Sequence, residues 1–216
     1  MPAFIPDLSI LFAFAAASIV LAITPGPDMA LFISRTVNYG RAHGIAAVLG
    51  ASTGLFVHIG LAAFGISLLL AAAPTAFFAL KLAGALYLLW LAIQAVRQGG
   101  GITLTKKARR QPTVWQSYLT GVGINLTNPK VILFFVTFLP QFVSHDDPAA
   151  AVKLLFLGGE FILLSIPIVI AIVWGAEWVA GLLTRSAIAQ RALNWSFAAV
   201  FAGFAAAILT IESRNS

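Results

Sequence analysis

Six stretches of this sequence are each long and apolar enough to cross a lipid bilayer, and little lies between them. They run at about 8–24 with a continuation to 38, then 45–71, 76–97, 114–143, 152–179 and 190–211. A helix needs roughly 20 mainly apolar residues to cross the hydrocarbon. Of the 216 residues 60% are hydrophobic and 9% charged, whereas soluble domains carry roughly 25% charged residues. Backbone in lipid has to satisfy its own hydrogen bonds, which leaves helices or closed barrels. No alternating ten-residue pattern supports a barrel. The expectation is an all-α integral membrane protein of six transmembrane helices with no soluble domain.

The charges orient it. A net charge of +6 would suggest nucleic acid in a soluble chain, but here the cations sit in short segments between apolar runs, so no nucleic-acid partner is expected. Nine of them, Arg35, Arg41, Arg97, Lys106, Lys107, Arg109, Arg110, Arg185 and Arg191, follow the first, third and fifth runs. The other side holds Lys81, Lys153 and Arg214 with the acidic turn of Asp146 and Asp147. By the positive-inside rule the basic loops are cytoplasmic and both termini face out. The N-terminal "MPAFIPDLSI" lacks the basic region of a cleaved signal peptide, so the first run should stay as a span. With no cysteine there are no disulfides or thiolate metal sites, and no cofactor or metal is expected.

Two of the runs are interrupted in the same way. "TPGPDMALF" (24–32) and "NLTNPKVILFF" (125–135) each place proline beside a charge inside apolar sequence, Asp28 in one and Lys130 in the other. Proline withholds an amide and clashes with the preceding turn, and Gly26 adds backbone freedom, so each helix should end and restart there. A restarted helix offers amides to an anion, while the half-helix before it leaves carbonyls that suit a cation. A zwitterionic amino acid carries one group for each. An isolated charge at that depth costs roughly 3 kcal/mol or more, so Asp28 and Lys130 should pair, line a polar cavity, or both.

The halves on either side of a basic linker share their order: a broken run, a long Gly-rich span, then a span introduced by a cation. This gives a first three-helix repeat at 1–97, a cytoplasmic linker at 98–112 and a second repeat at 113–216. With three spans per half the second copy enters the membrane inverted, the plan of many secondary transporters.

At these residues the sequence resembles the LysE/RhtB family of bacterial inner-membrane exporters for amino acids and their derivatives. The resemblance rests on "TPGPDMALF", "RTVNYGRAHGIAAVLGASTG" and "NLTNPKVILFFVTFLPQFV" and extends over essentially the whole chain. It implies a dimeric six-helix exporter that moves a small amino acid out of the cytoplasm against protons. The family's motif residues correspond to Pro25, Gly26, Pro27 and Asp28, to Asn128, Pro129 and Lys130, and to the glycines Gly40, Gly44, Gly50 and Gly54. Glu160 has no place in that pattern.

Other residues carry two readings each. His58, mid-span, suits a proton relay or a hydrogen-bonded interior position. Glu160, early in the fifth span, is either a substrate or proton site or the partner of Lys153. The glycines of "GRAHG" and "GASTG" have the spacing of close helix approach, within the chain or at a dimer seam. Lys81 and Arg191 should snorkel to the interface, and Trp90, Trp115, Trp174 and Trp178 read as interfacial aromatics. The chain has no HExxH, GxSxG, P-loop or cysteine nucleophile, so hydrolase and NTPase chemistry lack their residues. The expected function is proton-driven export of an amino acid. The alternatives are a non-transporting membrane scaffold and an exporter of another small solute or cation.

Overall fold

The computed structural model describes residues 5–66, 73–98, 111–144 and 147–210. Most of the basic linker, including Lys106, Lys107, Arg109 and Arg110, lies outside these, as do Asp146 and Arg214. The described residues are helical, with no strand among them. Helices α1 (Leu8–Ile23), α2 (Pro27–Tyr39) and α3 (Arg41–Gly60) come first, α3 running on as a π-helical turn over Leu61–Ile66. After α4 (Pro74–Gln98) come α5 (Val114–Thr127) and α6 (Pro129–Leu133), the latter continuing through π-helical Phe134–Phe138 and 3-10 Leu139–Phe142. Then follow α7 (Ala150–Trp174), α8 (Ala176–Arg185) and α9 (Ala187–Thr210).

Arg41–Ile66 and Ala150–Trp174 are each long and apolar enough to span a membrane. Two bent pairs also qualify when each is counted as one span: α1 with α2, bent 49°, and α5 with α6 and its continuation, bent 50°. Shorter apolar stretches, Phe78–Gln94 and Asn194–Leu209, lie within α4 and α9.

Both breaks fall where proline removes a donor. Pro25 cannot serve the carbonyl of Leu21, and Gly26 then runs fully extended (φ −172°, ψ −175°). Pro27 opens α2 at its first position, where the missing amide costs nothing. In the second pair Pro129 leaves the carbonyl of Asn125 without its usual partner. Asn128 steps out of the helix (φ −71°, ψ 110°), and its side chain caps α6 by accepting from the Lys130 amide at 3.1 Å. Upstream, α5 starts at a capping box in which Thr113 and Gln116 exchange side-chain and backbone hydrogen bonds.

Glycine sets the tightest packing, between α3 and α5. A methyl group on Gly50 would strike the carbonyl of Tyr118, and one on Gly121 the carbonyl of Ala47. One on Gly54 would strike the Asn125 side chain, and one on Gly44 the hydroxyl of Thr36. Gly44, Gly50 and Gly54 are therefore filled from within the chain. Gly40 differs from its three companions: nothing lies within 4 Å of a side chain built there, and its φ of +93° makes the turn from α2 to α3. Aromatic rings close the core, Phe134 and Phe138 packing on Phe14, Phe142, Phe161 and Phe204, with the Phe138 and Phe204 centroids 4.6 Å apart.

The outer surface is unsuited to water. Phe12, Phe56, Leu163 and Ile188 are 68%, 64%, 74% and 80% exposed, and apolar exposure on this scale marks contact with lipid or another apolar phase. Trp90, Trp115, Trp174 and Trp178 are all exposed. Lys81 departs from the snorkelling expectation: it lies in the second turn of α4 and is buried.

Candidate functional site

The two breaks meet. Lys130, which the restart of α6 places beside Asn128, is 8% exposed, and its ammonium donates to the carbonyls of Thr24 (2.8 Å) and Leu21 (3.2 Å). Pro25 cannot serve the Leu21 carbonyl, which otherwise accepts only from the Thr24 amide at 3.2 Å, and Thr24 is the residue that ends α1. Cations are favoured at a helix C-terminus, so a lysine from one broken helix neutralises the end of the other. The stem of Lys130 lies over Gly26, with Cε and Nζ 3.4 Å from where a side chain there would begin.

The opposite charge is held by the second pair in turn. Asp28 sits in the first turn of α2, where a carboxylate is favoured, and its Oδ2 accepts from Asn125 Nδ2 at 2.9 Å. Asn125 belongs to the last turn of α5. Its own carbonyl, freed by Pro129, is taken by the Asn128 amide at 3.1 Å and by His58 Nε2 at 3.3 Å. His58 is buried, with its ring stacked on Phe135.

Asp28, Asn125 and Lys130 line one cavity of about 60 Å³. Since a water needs roughly 10–15 Å³, the space admits more than one water or a small solute. Ser52 of α3 and Ser165 of α7 add hydroxyls, and the rest of the wall is apolar, with Met29, Phe32, Val48, Leu55, Phe161 and Val169 among it. The Asn128 side-chain amide also hydrogen-bonds to the Asp28 carboxylate, and Asn125 Oδ1 is buried without a hydrogen-bond partner against Gly54 of α3. The Asp28 carboxylate lines the cavity and suits a ligand that donates, since a buried acceptor left unpaired is costly.

The structure thus brings Pro25, Gly26, Pro27, Asp28, Asn128, Pro129 and Lys130 together and sets His58 behind Asn125. Glu160 stands apart. It does not line this cavity, and its Oε2 is buried without a hydrogen-bond partner. The suggested ion pair with Lys153 is absent because Lys153 reaches back to Asp147 at the turn before α7. Asn125, Ser52 and Ser165 are the site residues that the sequence reading missed. Asn125 had a signal, since it precedes Pro129 by four residues and so bears the freed carbonyl.

The LysE type translocator family matches residues 19–212. The homoserine/homoserine lactone efflux protein of Salmonella typhimurium is 32% identical over 190 residues, which covers 88% of this chain and 91% of that protein. The threonine efflux protein of Salmonella typhi is 32% identical over 150 residues, 67% of this chain and 71% of that protein. An uncharacterized membrane protein of Vibrio cholerae is 36% identical over 140 residues, 64% of this chain and 67% of that protein. No solved structure matches the chain.

Proposed function

The chain belongs to the LysE type translocator family, and from that premise we propose that it is a secondary-active exporter of a small amino acid, driven by proton antiport across a bacterial inner membrane. The observation that carries this reading is the meeting of the two breaks, with Lys130 on the carbonyls of α1 and Asn125 on Asp28 around one cavity. As a multi-pass membrane protein of a translocator family it is a transporter and not an enzyme, and the scaffold alternative falls away. The names of the relatives support an amino-acid cargo.

In this reading six spans are made by the α1–α2 pair, α3, α4, the α5–α6 pair, α7 and α9, arranged as two inverted repeats. The matching bends of 49° and 50° and the opposite charges at the two restarts support the inversion. The helix α8, with Trp178 exposed, lies at the cytoplasmic interface. A homodimer would have to use surfaces other than Gly44, Gly50 and Gly54, whose space is already occupied.

The substrate ammonium is accepted by the Asp28 carboxylate, which lines the cavity. The substrate's own carboxylate faces Lys130 and the free amides of Asp28 and Met29 at the start of α2. Proton and ammonium compete for the same Asp28 carboxylate, so loading one requires loss of the other, which is the condition for exchange. Glu160 lies outside this competition or serves as a second proton site. Glu160→Gln decides between these, since an unchanged pH profile of transport removes it from the proton path.

The test is growth of an overexpressing strain under a panel of toxic amino acids and analogues, followed by efflux measurement for those that give protection. Protection against several small amino acids, lost in Asp28→Asn, is the expected result. Protection against none would overturn the reading.

A further inference from the structure

Away from the breaks, α4 and α9 pack side by side and leave a groove between them of about 510 Å³, against about 60 Å³ for the cavity. Leu89, Ile93 and Val96 of α4 and Trp195 of α9 line it and are exposed. The alanines that α9 adds, Ala199 among them, are too short to fill it. Arg97, exposed in the last turn of α4, is the one charge among the described lining residues. At the helical rise per residue, Leu89 lies about 12 Å along α4 from Arg97, so the groove is an apolar channel with a guanidinium at one end.

That arrangement fits an amphiphile. The apolar wall favours an acyl chain over water, and a guanidinium presents a fork of donors that matches phosphate oxygens. Charge then chooses among phospholipids. No acidic side chain among the described lining residues offers a counter-charge to the choline or ethanolamine of a zwitterionic headgroup. Arg191, exposed one turn before Trp195 on α9, adds to the positive field. The end of α4 lies on the side that the basic loops mark as cytoplasmic, and an indole such as that of Trp195 suits headgroup depth. We propose that the groove holds one anionic phospholipid of the cytoplasmic leaflet, its acyl chain between α4 and α9 and its phosphate on Arg97. Basic pockets between membrane helices on the cytoplasmic side suit such headgroups. The assignment goes beyond the export reading and stands whatever the cargo.

Native mass spectrometry of the purified full chain in a neutral detergent, titrated with phosphatidylglycerol or with phosphatidylcholine of the same acyl chains, tests this. One phosphatidylglycerol should be held about fivefold or more tightly than phosphatidylcholine, the value of one basic residue at an anionic headgroup. Arg97→Gln should bring the two lipids to within about twofold. Ala199→Phe, which puts a ring into the groove from an exposed position, should weaken both lipids about tenfold while the melting midpoint without lipid stays at the wild-type value. Arg97 is exposed at a helix end, so its variant decides the question even where Ala199→Phe misfolds. Equal retention of the two lipids by the wild type, a preference that survives Arg97→Gln, or undiminished retention in a folded Ala199→Phe overturns the assignment. So does a dimer that Ala199→Phe dissociates, since the groove would then belong to a second copy of the chain. Efflux plays no part in these measurements, so failure of the export reading would be seen separately.

Discussion

Lys130 donates to the carbonyl of Thr24 at 2.8 Å, joining residues 106 positions apart and tying the start of one broken helix to the end of the other. The bond explains how a lysine is tolerated at a restart where the helix dipole disfavours it. Its side chain leaves its own helix and reaches the negative end of α1. Each proline thus frees a carbonyl, and each freed carbonyl is met by a side chain from elsewhere: Leu21 by Lys130, Asn125 by His58.

Loss of either charge should separate transport from assembly. In Asp28→Asn the side chain keeps its size and an acceptor for Asn125, so insertion and thermal stability in detergent should stay near wild type while export falls about 100-fold or more. Lys130→Ala leaves the buried Thr24 carbonyl unsatisfied, at a cost of about 1–3 kcal/mol, and removes one of the two donors to Leu21. It should lose export and also unfold at a lower temperature. Wild-type efflux in vesicles by both variants would refute the roles given to these residues.

The turn before α7 gives a prediction in pH. The hydrogen bond from Lys153, then that from the Ala149 amide, holds the Asp147 carboxyl below its ordinary value of 3.8. A carboxyl depressed in the folded state stabilises it above the unfolded value, and that contribution is lost as pH falls through the folded one. Asp147→Asn should therefore lower the melting midpoint slightly between pH 5 and 8, with the difference from wild type shrinking as pH falls from about 4 through the lower folded value. A single pair near the surface is worth about 1 kcal/mol or less, so a shift of many degrees would mean that the turn does more than anchor α7.

Much of this was legible because proline and charge act locally. "TPGPD" and "TNPK" break helices through missing amides, and hydropathy alone places the apolar runs. What stayed hidden depends on which helix faces which. Nothing in the sequence says that Lys130 points to α1, or that Lys153 turns to Asp147 and leaves Glu160 alone. Ser52 and Ser165 look like ordinary serines of apolar helices until α3 and α7 are seen to share a cavity. Gly40 illustrates the opposite limit, since its spacing to Gly44 suggested helix packing where a positive φ was the requirement.

Topology follows from the charge asymmetry and can be read directly. A reporter fused after Arg110 should be cytoplasmic, and one at Asp147 periplasmic. The reverse result would overturn the direction of export together with the orientation.

His58 should act through Asn125 and not as a proton carrier. It does not line the cavity, and its Nε2 meets the carbonyl that Pro129 frees. His58→Gln, which keeps a donor, should retain most of the export rate, while His58→Ala should lose roughly tenfold by loosening Asn125. Neither should alter the pH profile. A profile that shifts in His58→Gln would restore the relay reading.

Gly54 tests whether close helix approach serves the site. It lies against Asn125, whose side chain a methyl group would displace, and Asn125 holds Asp28. Overpacking of this kind costs about 1–3 kcal/mol, so Gly54→Ala should lower both the melting midpoint and the export rate, the latter about tenfold or more. Gly123→Ala supplies the control, since nothing lies within 4 Å of a side chain at Gly123 on the neighbouring α5. It should behave as wild type in both measurements. Equal behaviour of the two variants would mean that α3 and α5 part easily, and that the position of Asn125 does not depend on the glycine face beneath it.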